Sequence, residues 1–271
     1  MTVGEKIKTE ETEYWENVKR GETHHDSQLW RTYCDLINSD LLSRWLSKDR
    51  QIGKLLKTDL HEETVGSGLC RRLCKTTDFL AGIDIGASPV QAAIFYNPDL
   101  NGICADVRHL PFKDETFDLI VSTSTLDHFK TEKEIFAGLK EMVRVLKSNG
   151  EVILTLDNPL NPLVRIRNTL PFGLLNRLGI VPYFVGKTLK PSQIKQYLSE
   201  MKMKVEQASM VMHMPRVLAV VLSRWAEKRI GPKAQKKFLN FLLSFERVSS
   251  WPTRYRTGYF IAVKAVKNKT G

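Results

Sequence analysis

Polar side chains that could contact a ligand follow several short apolar runs in the middle of the chain. They are Asp59, Asp84, Asp106, the pair Ser122 and Thr123, and Asp157 with Asn158. Each one taken singly could cap the helix that follows it, since Asp, Ser and Asn are good N-cap residues. In an open parallel sheet, however, ligands bind beside the carboxyl ends of the strands. Together these residues therefore predict one polar ligand site, where carboxylates would accept hydrogen bonds from hydroxyl and amine groups.

The elements expected to position these residues alternate between strand and helix. The predicted strands cover residues 52–60, 79–85, 102–107, 117–122, 151–156, 204–212 and 257–266. The predicted helices cover residues 62–75, 89–96, 133–146, 191–201, 214–229 and 232–245, and residues 5–50 are also expected to be helical, with Asp26 or Ser27 as an N-cap. This alternation predicts an α/β fold with a doubly wound, mostly parallel, seven-stranded sheet.

Two segments of the chain have a recognisable pattern, CADVRHLPFKDETFDLIVSTSTLDHF (104–129) and EMVRVLKSNGEVILTLDNP (141–159). They resemble the class I S-adenosylmethionine-dependent methyltransferases, in particular the methyltransferase type 11-like group. The resemblance extends from about residue 52 to residue 156. It implies a Rossmann-like methyltransferase fold, an enzyme that transfers methyl groups, and S-adenosylmethionine as its cofactor.

The first motif of this family can be placed in two registers. Asp84-Ile85-Gly86 looks like the family's opening Asp-x-Gly-x-Gly, but only 16 residues would then separate Gly86 from Ile103. A helix, a strand and a second helix do not fit into that length. We therefore expect Asp84 to end the second strand and residues 55–59 to form the first strand. This register makes the first motif divergent, because its loop lacks the family's closely spaced glycines.

In this register the resemblance implies a set of cofactor-binding residues. They are Asp59, Glu62, Asp84, Ile85, Asp106, Val107, Ser122 and Thr123. Asp59 or Glu62 would receive the ammonium group, and the strand-four residues would approach the methionine moiety. Asp84 would accept from both ribose hydroxyls, which the two oxygens of a carboxylate can do. Asp106 would accept from the adenine amine, with the Val107 backbone N–H at a ring nitrogen.

A general base is needed if the methyl acceptor is a hydroxyl group. Asp127 and His128 follow strand four, and histidine has a pKa near neutrality that suits proton transfer. The alternative is that His128 packs or caps the following loop. No metal site is predicted, because Cys70 and Cys74 lack a second ligand pair and adjacent histidines such as His24 and His25 point to different faces of a helix.

The chain outside the α/β core is expected to close and extend the site. We predict an N-terminal helical lid over residues 1–50 and a cofactor-binding α/β core over 51–160. Residues 161–200 would form a helical cap insertion, whose apolar residues beside Arg165, Arg167 and Arg177 favour a hydrophobic acceptor pocket or a peripheral membrane contact. The C-terminal helices and strands over 201–271 would complete the same sheet.

Charge is concentrated in the last part of the chain. The formal net charge is +11, and residues 201–271 hold 15 basic and 3 acidic side chains. Such an excess favours an anionic partner, either a small molecule, lipid headgroups or nucleic acid, although it is also compatible with a solvated basic face. Without an apolar signal or a spanning segment, and with four cysteines that fit reduced thiols, we expect a cytoplasmic protein that could contact a membrane peripherally.

The leading functional hypothesis is methylation of a small-molecule or lipid-like acceptor. O- or C-methylation is favoured over N-methylation because Ser-Thr-Ser-Thr, not Asn-Pro-Pro-Tyr, follows strand four. Two alternatives stay open at this point. The basic C-terminal region could serve an RNA-modifying methyltransferase, or the glycine-poor first motif could mark a non-catalytic relative of the fold.

Overall fold

The computed structural model of the chain describes residues 11–16, 27–46, 51–66, 68–178, 181 and 184–269. His24, His25 and Asp26, discussed above, lie outside these residues. The sheet has seven strands in the order β3-β2-β1-β4-β5-β7-β6. The strands are β1 (Ile52–Thr58), β2 (Thr77–Asp84), β3 (Asn101–Cys104), β4 (Phe117–Thr123), β5 (Leu146–Asp157), β6 (Met203–Val211) and β7 (Phe260–Lys267).

The five strands from β1 to β5 are parallel, and β7 runs antiparallel to both of its neighbours. This confirms the predicted α/β class and the doubly wound, mostly parallel sheet. Asp84 ends β2, where it pairs with Cys104 of β3. The chain therefore adopts the register in which residues before Asp59, and not those before Gly86, form the first strand.

Helices cover both faces of the sheet. They are α1 (Gln28–Trp45), α2 (Cys70–Leu73), α3 (Ala87–Tyr96), α4 (Glu132–Val145), α5 (Pro162–Thr169), α6 (Phe172–Arg177), α7 (Pro191–Glu200), α8 (Arg216–Arg229), α9 (Pro232–Ser244) and α10 (Arg254–Thr257). Short 3-10 turns occur at Glu62–Val65, Leu126–His128 and Phe245–Ser250. Within the described ranges, no helix has both the length and the apolar character that crossing a bilayer requires.

The ends of several helices are set by local side-chain bonds. Ser27 caps α1 as predicted, since its hydroxyl accepts from Trp30 N at 3.4 Å. Thr131 and Glu134 form a reciprocal capping box at the start of α4. The single helix expected over 62–75 is instead a 3-10 turn followed by α2, and Gly68 between them has a φ of +45° that interrupts regular helix.

Two apolar cores lie on opposite sides of the sheet. On one side, α1, α8 and α9 pack against the strands, and Tyr33 and Leu41 of α1 are almost completely buried. On the other side, α4 and α7 bury residues such as Leu139 and Ile194. In the segment predicted as an N-terminal lid, α1 is thus part of the core as well as a wall of the site described next.

Candidate active site

A cavity of about 740 Å³ lies at the carboxyl ends of β1, β2 and β4. This is the point at which the strand order reverses, because the chain builds β1 to β3 in one direction and continues with β4 and β5 in the other. The cavity brings together most of the residues singled out in the sequence: Asp59, Glu62, Asp84, Ile85, Asp106, Val107, Thr123, Asp127 and His128. Ser122 is not among the lining residues; it is buried, and strand alternation turns it away from the face of Thr123.

Asp84 is held at the cavity wall by backbone N–H groups. Its Oδ1 accepts from Gly86 N at 3.0 Å, and its Oδ2 accepts from Leu60 N at 3.2 Å. Burial, together with the nearby Asp59, raises the pKa of Asp84 to about 6. Each carboxylate oxygen can accept two hydrogen bonds, so this fixed carboxylate keeps acceptor capacity for two hydroxyl groups of a ligand.

Asp59 forms the tight turn after β1 without a glycine. Its φ is 100°, in the left-handed region that usually favours glycine. The Asp59 side chain accepts from His61 N at 2.7 Å, and its backbone carbonyl accepts from the Lys57 ammonium. These two bonds stabilise the strained residue, so the loop that looked incomplete in sequence still makes a sharp turn beside the ligand site.

Lys57 and Glu63 form a completely buried ion pair next to this turn. The Lys57 Nζ and Glu63 Oε2 atoms are 2.8 Å apart, and the two side chains are 1% and 0% exposed. Glu63 Oε1 also accepts from Leu69 N at 3.0 Å. Burial opposes the charged form of Lys57, but Glu63 and Asp59 outweigh it and raise the pKa of Lys57. The pair ties β1 to the turn that carries Glu62.

Carboxylates with raised pKa values cluster around Glu62. Burial, with Asp35 as the next cause, raises the pKa of Glu62 to about 7. Burial and then Glu63 raise the pKa of Asp35, on α1, to about 6, and its Oδ1 has no hydrogen-bond partner among the described residues. A positive group entering this region would relieve the repulsion between these acids. The site is therefore suited to a ligand that carries a cationic group.

Asp106 is bound by Arg108, which was not anticipated from the sequence. Arg108 Nη2 lies 2.9 Å from Asp106 Oδ2 and 2.7 Å from Glu11 Oε2, and its Nη1 lies 2.9 Å from Glu134 Oε1. Although burial opposes it, hydrogen bonding from Arg108 lowers the pKa of Asp106. Asp106 therefore lines the cavity as a carboxylate, but both of its oxygens already accept from Arg108. An adenine amine at this position would share them.

His128 is held in one orientation by a backbone carbonyl and an aromatic ring. Its Nδ1 lies 3.2 Å from the Phe184 carbonyl oxygen, and its ring lies 4.5 Å from the Trp15 ring. A carbonyl oxygen can only accept, so Nδ1 carries the hydrogen of this bond and Nε2 carries the lone pair of the neutral ring. Burial lowers the pKa of His128, which favours this neutral form. The ring is thus prepared to accept a proton at Nε2.

Asp127 lies in a different electrostatic environment. Its Oδ1 accepts from Asp157 N at 2.9 Å, while its Oδ2 has no partner within the part of the chain that the structure describes. Burial and then the Asp157 charge raise the pKa of Asp127 well above its ordinary value. The carboxylate of Asp157 is paired with Arg167 at 2.7 Å. Asp127 is thus favoured as a neutral hydrogen-bond donor, and His128 is the stronger candidate for a base.

Aromatic side chains form much of the remaining cavity wall. They are Tyr14, Trp15, Trp30, Phe129, Phe172, Phe184 and Phe260. Residues 11–16 are helical and lie over the cavity, where the Tyr14 hydroxyl accepts from Phe184 N at 2.7 Å. This contact joins the N-terminal segment to the chain that follows α6. One part of the cavity is therefore acidic, and another part is apolar and covered.

The cavity fits the cofactor predicted from the sequence in size and in charge. Small-molecule sites enclose roughly 300–1,000 Å³, and the Asp84 carboxylate stands at the end of β2 with acceptor capacity to spare. The acids around Glu62 suit a cationic ligand. No group of three or more His, Cys, Asp or Glu side chains able to hold a metal ion occurs among the described residues.

The sequence reasoning missed several residues that shape this site. Lys57 lies between Leu56 and Thr58 near the end of β1, and a lysine that is buried there must be paired, so its role was open to inference. Arg108 and Trp15 offered no such pattern. Their contacts with Glu11 and His128 join segments about a hundred residues apart, which only the folded chain reveals.

A family model described as a methyltransferase domain matches residues 64–154, about a third of the chain. The chain is 32% identical over 104 residues to the ubiquinone/menaquinone biosynthesis C-methyltransferase UbiE of Haemophilus ducreyi. The matched region covers 38% of this chain and 37% of that protein. It is 30% identical over 102 residues to the probable tRNA methyltransferase 9B of Homo sapiens. Here the matched region covers 38% of this chain and 18% of that protein. The chain thus spans less than two fifths of the length of these relatives.

Solved structures extend the likeness to nearly the whole chain. A putative methyltransferase in complex with the Trm112 methyltransferase activator of Haloferax volcanii has a TM-score of 0.57 at 16% identity, covering 97% of this chain and 98% of that one. A putative sarcosine dimethylglycine methyltransferase from Galdieria sulphuraria has a TM-score of 0.56 at 15% identity, with coverages of 95% and 98%. At these identities the likeness concerns the fold alone.

Proposed function

We propose that this chain methylates a small-molecule or lipid-like acceptor. It carries a methyltransferase domain of the class I S-adenosylmethionine-dependent family and thus has S-adenosylmethionine as its cofactor. The observation that carries the proposal is the cavity that joins the Asp84 carboxylate, the His128 ring and an aromatic wall. We favour an oxygen or carbon acceptor, because Asn158-Pro159 follows β5 and no such pair follows β4. The reaction would take place in the cytoplasm, at or near a membrane.

The proposed cofactor contacts are Asp59, Glu62, Asp84, Ile85, Asp106, Val107 and Thr123. The bound cofactor supplies a methyl group on a sulfonium, which is already activated for transfer. Asp84 would accept from the ribose hydroxyls, supported by the two backbone N–H groups that fix its oxygens. Glu62 and Asp59 would attract the ammonium group, supported by the raised pKa of Glu62 in the absence of a cation.

His128 is the proposed proton acceptor when the methyl acceptor is a hydroxyl or an acidic carbon. The bond between Nδ1 and the Phe184 carbonyl leaves Nε2 as the basic atom, and the lowered pKa keeps the ring neutral. Asp127 would position the acceptor by donating from its protonated carboxyl group. Trp15 and residues 184–185 would exclude water from the reacting atoms, which strengthens the electrostatic interactions there.

The aromatic wall is the reason for proposing an apolar acceptor. Phe172 and Phe184 line the cavity, as does Arg216, which lies over the Trp30 ring at 5.8 Å from its centroid. An apolar acceptor with a negative or polar group would bury its apolar part against the rings and place its charge beside Arg216. Such a molecule could be a quinone-like, isoprenoid or acyl compound.

The direct test supplies methyl-labelled S-adenosylmethionine together with either a total lipid extract or total RNA of the source organism. We expect label in the organic phase with wild-type protein and a loss of that label in Asp84→Asn. Two negative results together would show that the proposal is wrong and that the chain is a non-catalytic relative. In calorimetry the wild-type protein would not bind S-adenosylhomocysteine, and in the labelling assay no pool would gain label.

RNA modification is the second candidate. Residues 158–271 hold 21 basic and 4 acidic side chains, and some of the relatives are described as tRNA methyltransferases. The basic surface could bind phosphates. Label that enters RNA and not the organic phase, with a rate that falls steeply as salt rises, would favour this second candidate.

A further inference from the structure

The outer faces of α5, α6 and α8 expose apolar and basic side chains to solvent; we refer to these three outer faces as the apolar-basic face. Along α8 the exposed side is formed by Val217, Leu218, Val221, Arg224, Trp225 and Lys228. These residues recur at three- and four-residue steps, so they share one side of the helix. Leu218 and Trp225 are 53% and 55% exposed, which is unusual for side chains of their size.

The cap helices continue this composition. On α5, Val164 is buried, whereas Leu163, Arg165 and Ile166 are exposed. Leu174, Arg177 and Leu178, on α6 and just after it, are also exposed. A series of such large apolar side chains in solvent indicates a surface that is covered in function, because monomeric proteins rarely expose extended apolar patches.

Two of the three helices, α5 and α8, meet at Tyr259, and the third, α6, reaches the same cavity. Arg167 of α5 and Arg216 at the start of α8 both stack over the Tyr259 ring, 5.9 and 5.4 Å from its centroid. Arg216 also lines the cavity, together with Phe172 of α6. The apolar-basic face therefore adjoins the aromatic side of the ligand site.

The charge of this region is one-sided. Between Asp157 and Glu200 the sequence has six basic side chains and no acidic one. On α8 the only acid is Glu227, and its Oε1 accepts from Gln28 N of α1 at 3.1 Å, so that it serves the contact with α1. A surface with positive charge around apolar side chains is complementary to an anionic bilayer, in which headgroups meet the cations and acyl chains meet the apolar residues.

We propose that the apolar-basic face docks on an anionic membrane and turns the aromatic side of the cavity toward the lipid. The acceptor then enters from the bilayer, a step that rests on the proposed function, whereas the docking itself requires no methyl transfer. RNA would match the basic residues but not Leu163, Ile166, Leu218 and Val221, because aliphatic side chains provide neither phosphate contacts nor stacking surfaces for bases.

Co-sedimentation of the full chain with vesicles tests this proposal. One vesicle set contains phosphatidylcholine alone, and a second set also contains anionic phosphatidylglycerol. We expect wild-type protein to bind the second set preferentially. Removing apolar contacts in Ile166→Gln/Val221→Gln/Trp225→Gln should weaken that binding about tenfold or more. Removing charge in Arg224→Gln/Lys228→Gln should also weaken it about tenfold, since each cation near an anionic surface contributes substantially.

Phe95→Gln/Tyr96→Gln on α3 is the matched control, because Phe95 is 78% exposed but lies on a helix outside the apolar-basic face. This control should bind vesicles as the wild type does. Absence of wild-type binding to the anionic vesicles at low salt overturns the proposal. Vesicle binding that is unchanged in the apolar triple variant also overturns it. A third contradicting result is that the wild type and the apolar triple variant bind RNA while the charge variant does not.

Titration with S-adenosylhomocysteine on the same preparations separates this proposal from the proposed function. The substituted side chains are exposed and none of them lines the cavity, so every variant should keep wild-type affinity, which also shows that it is folded. Vesicle binding without any cofactor affinity would contradict the proposed function and leave the docking surface in place. Cofactor affinity without vesicle binding would contradict only the docking surface.

Discussion

The cavity and the apolar-basic face have opposite charge, although they adjoin each other. Residues 1–157 hold 26 acidic and 20 basic side chains, whereas residues 158–271 hold 4 acidic and 21 basic ones. In the cavity the acids come from the strand ends and the loops that follow them, and they are buried or half-buried. On the outer face the cations lie in solvent beside exposed apolar side chains. The net charge of +11 is therefore the sum of two different regions. The cavity is suited to a cationic ligand, and the apolar-basic face is suited to an anionic surface.

The two regions also differ in how their charges are stabilised. The cavity acids depend on backbone N–H groups and on the buried ammonium of Lys57, because an unpaired buried charge is very unfavourable. The cations of the outer face are hydrated and contribute little to the free energy of unfolding. Substitutions in the cavity should therefore change stability or ligand binding, while those on the outer face should change only association with other molecules.

The largest effect is expected for the Lys57→Met variant. It leaves the Glu63 carboxylate buried without its partner, and breaking such a pair costs about 3–5 kcal/mol of unfolding free energy. Chemical denaturation measures this loss. The double variant Lys57→Met/Glu63→Leu should recover most of it, because no buried charge remains. A double variant as unstable as the single one would show that the ion pair itself, and not the stranded charge, is needed.

Next in size is the loss of methyl transfer in His128→Gln. Glutamine keeps a polar side chain but cannot accept a proton, and a positioned base contributes about 10²–10⁴-fold to rate. The measurement is the initial rate with labelled cofactor at saturating concentration. Cofactor affinity should stay within a few fold of wild type. An unchanged rate would assign His128 a packing role against Trp15.

Asp84→Asn should weaken binding of S-adenosylhomocysteine by about 1–3 kcal/mol, because a neutral amide leaves the ribose hydroxyls poorly bonded. Isothermal titration calorimetry measures this difference. Asp99→Asn is the control, since Asp99 is exposed in the loop after α3 and should keep full affinity. Equal affinities of the wild type and Asp84→Asn would refute the assignment of Asp84 to the ribose.

Changing the pH should shift stability and cofactor affinity in opposite directions. The pKa values of Asp84 and Glu62 are raised to about 6 and about 7. Between pH 7 and pH 5 the folded protein thus binds protons at Asp84 and Glu62 that the unfolded chain does not bind, so these two groups stabilise the ligand-free protein as the pH falls. His128, whose pKa is lowered by burial, opposes this trend in part. Over the same range the cavity loses negative charge, and affinity for cationic S-adenosylmethionine decreases. Thermal melts and titrations at both pH values test this pair of trends.

The sheet and the carboxylates at the strand ends could be predicted from the sequence, because apolar runs and turn residues are local patterns that mark where strands lie and end. Asp84 could be placed by counting residues, since a helix, a strand and a second helix do not fit into the 16 residues between Gly86 and Ile103. Arg108 and Trp15 could not be placed, because their contacts depend on how the N-terminal segment crosses the sheet. The broken helix after β1 was missed for a related reason: the bond from Leu69 N to buried Glu63 replaces regular helical bonding.

The smallest effect is expected on the outer face, where two neighbouring residues of α8 provide a matched pair. Trp225→Gln removes a side chain that is 55% exposed, and surface changes of this kind usually alter stability by less than about 0.5 kcal/mol. Ala226→Leu adds volume at a position that is 0% exposed, and overpacking of this kind costs about 1–3 kcal/mol. Denaturation of both variants compares the two sides of one helix. Equal destabilisation would mean that Trp225 packs against the protein itself, and the apolar-basic face would then lose its central aromatic residue.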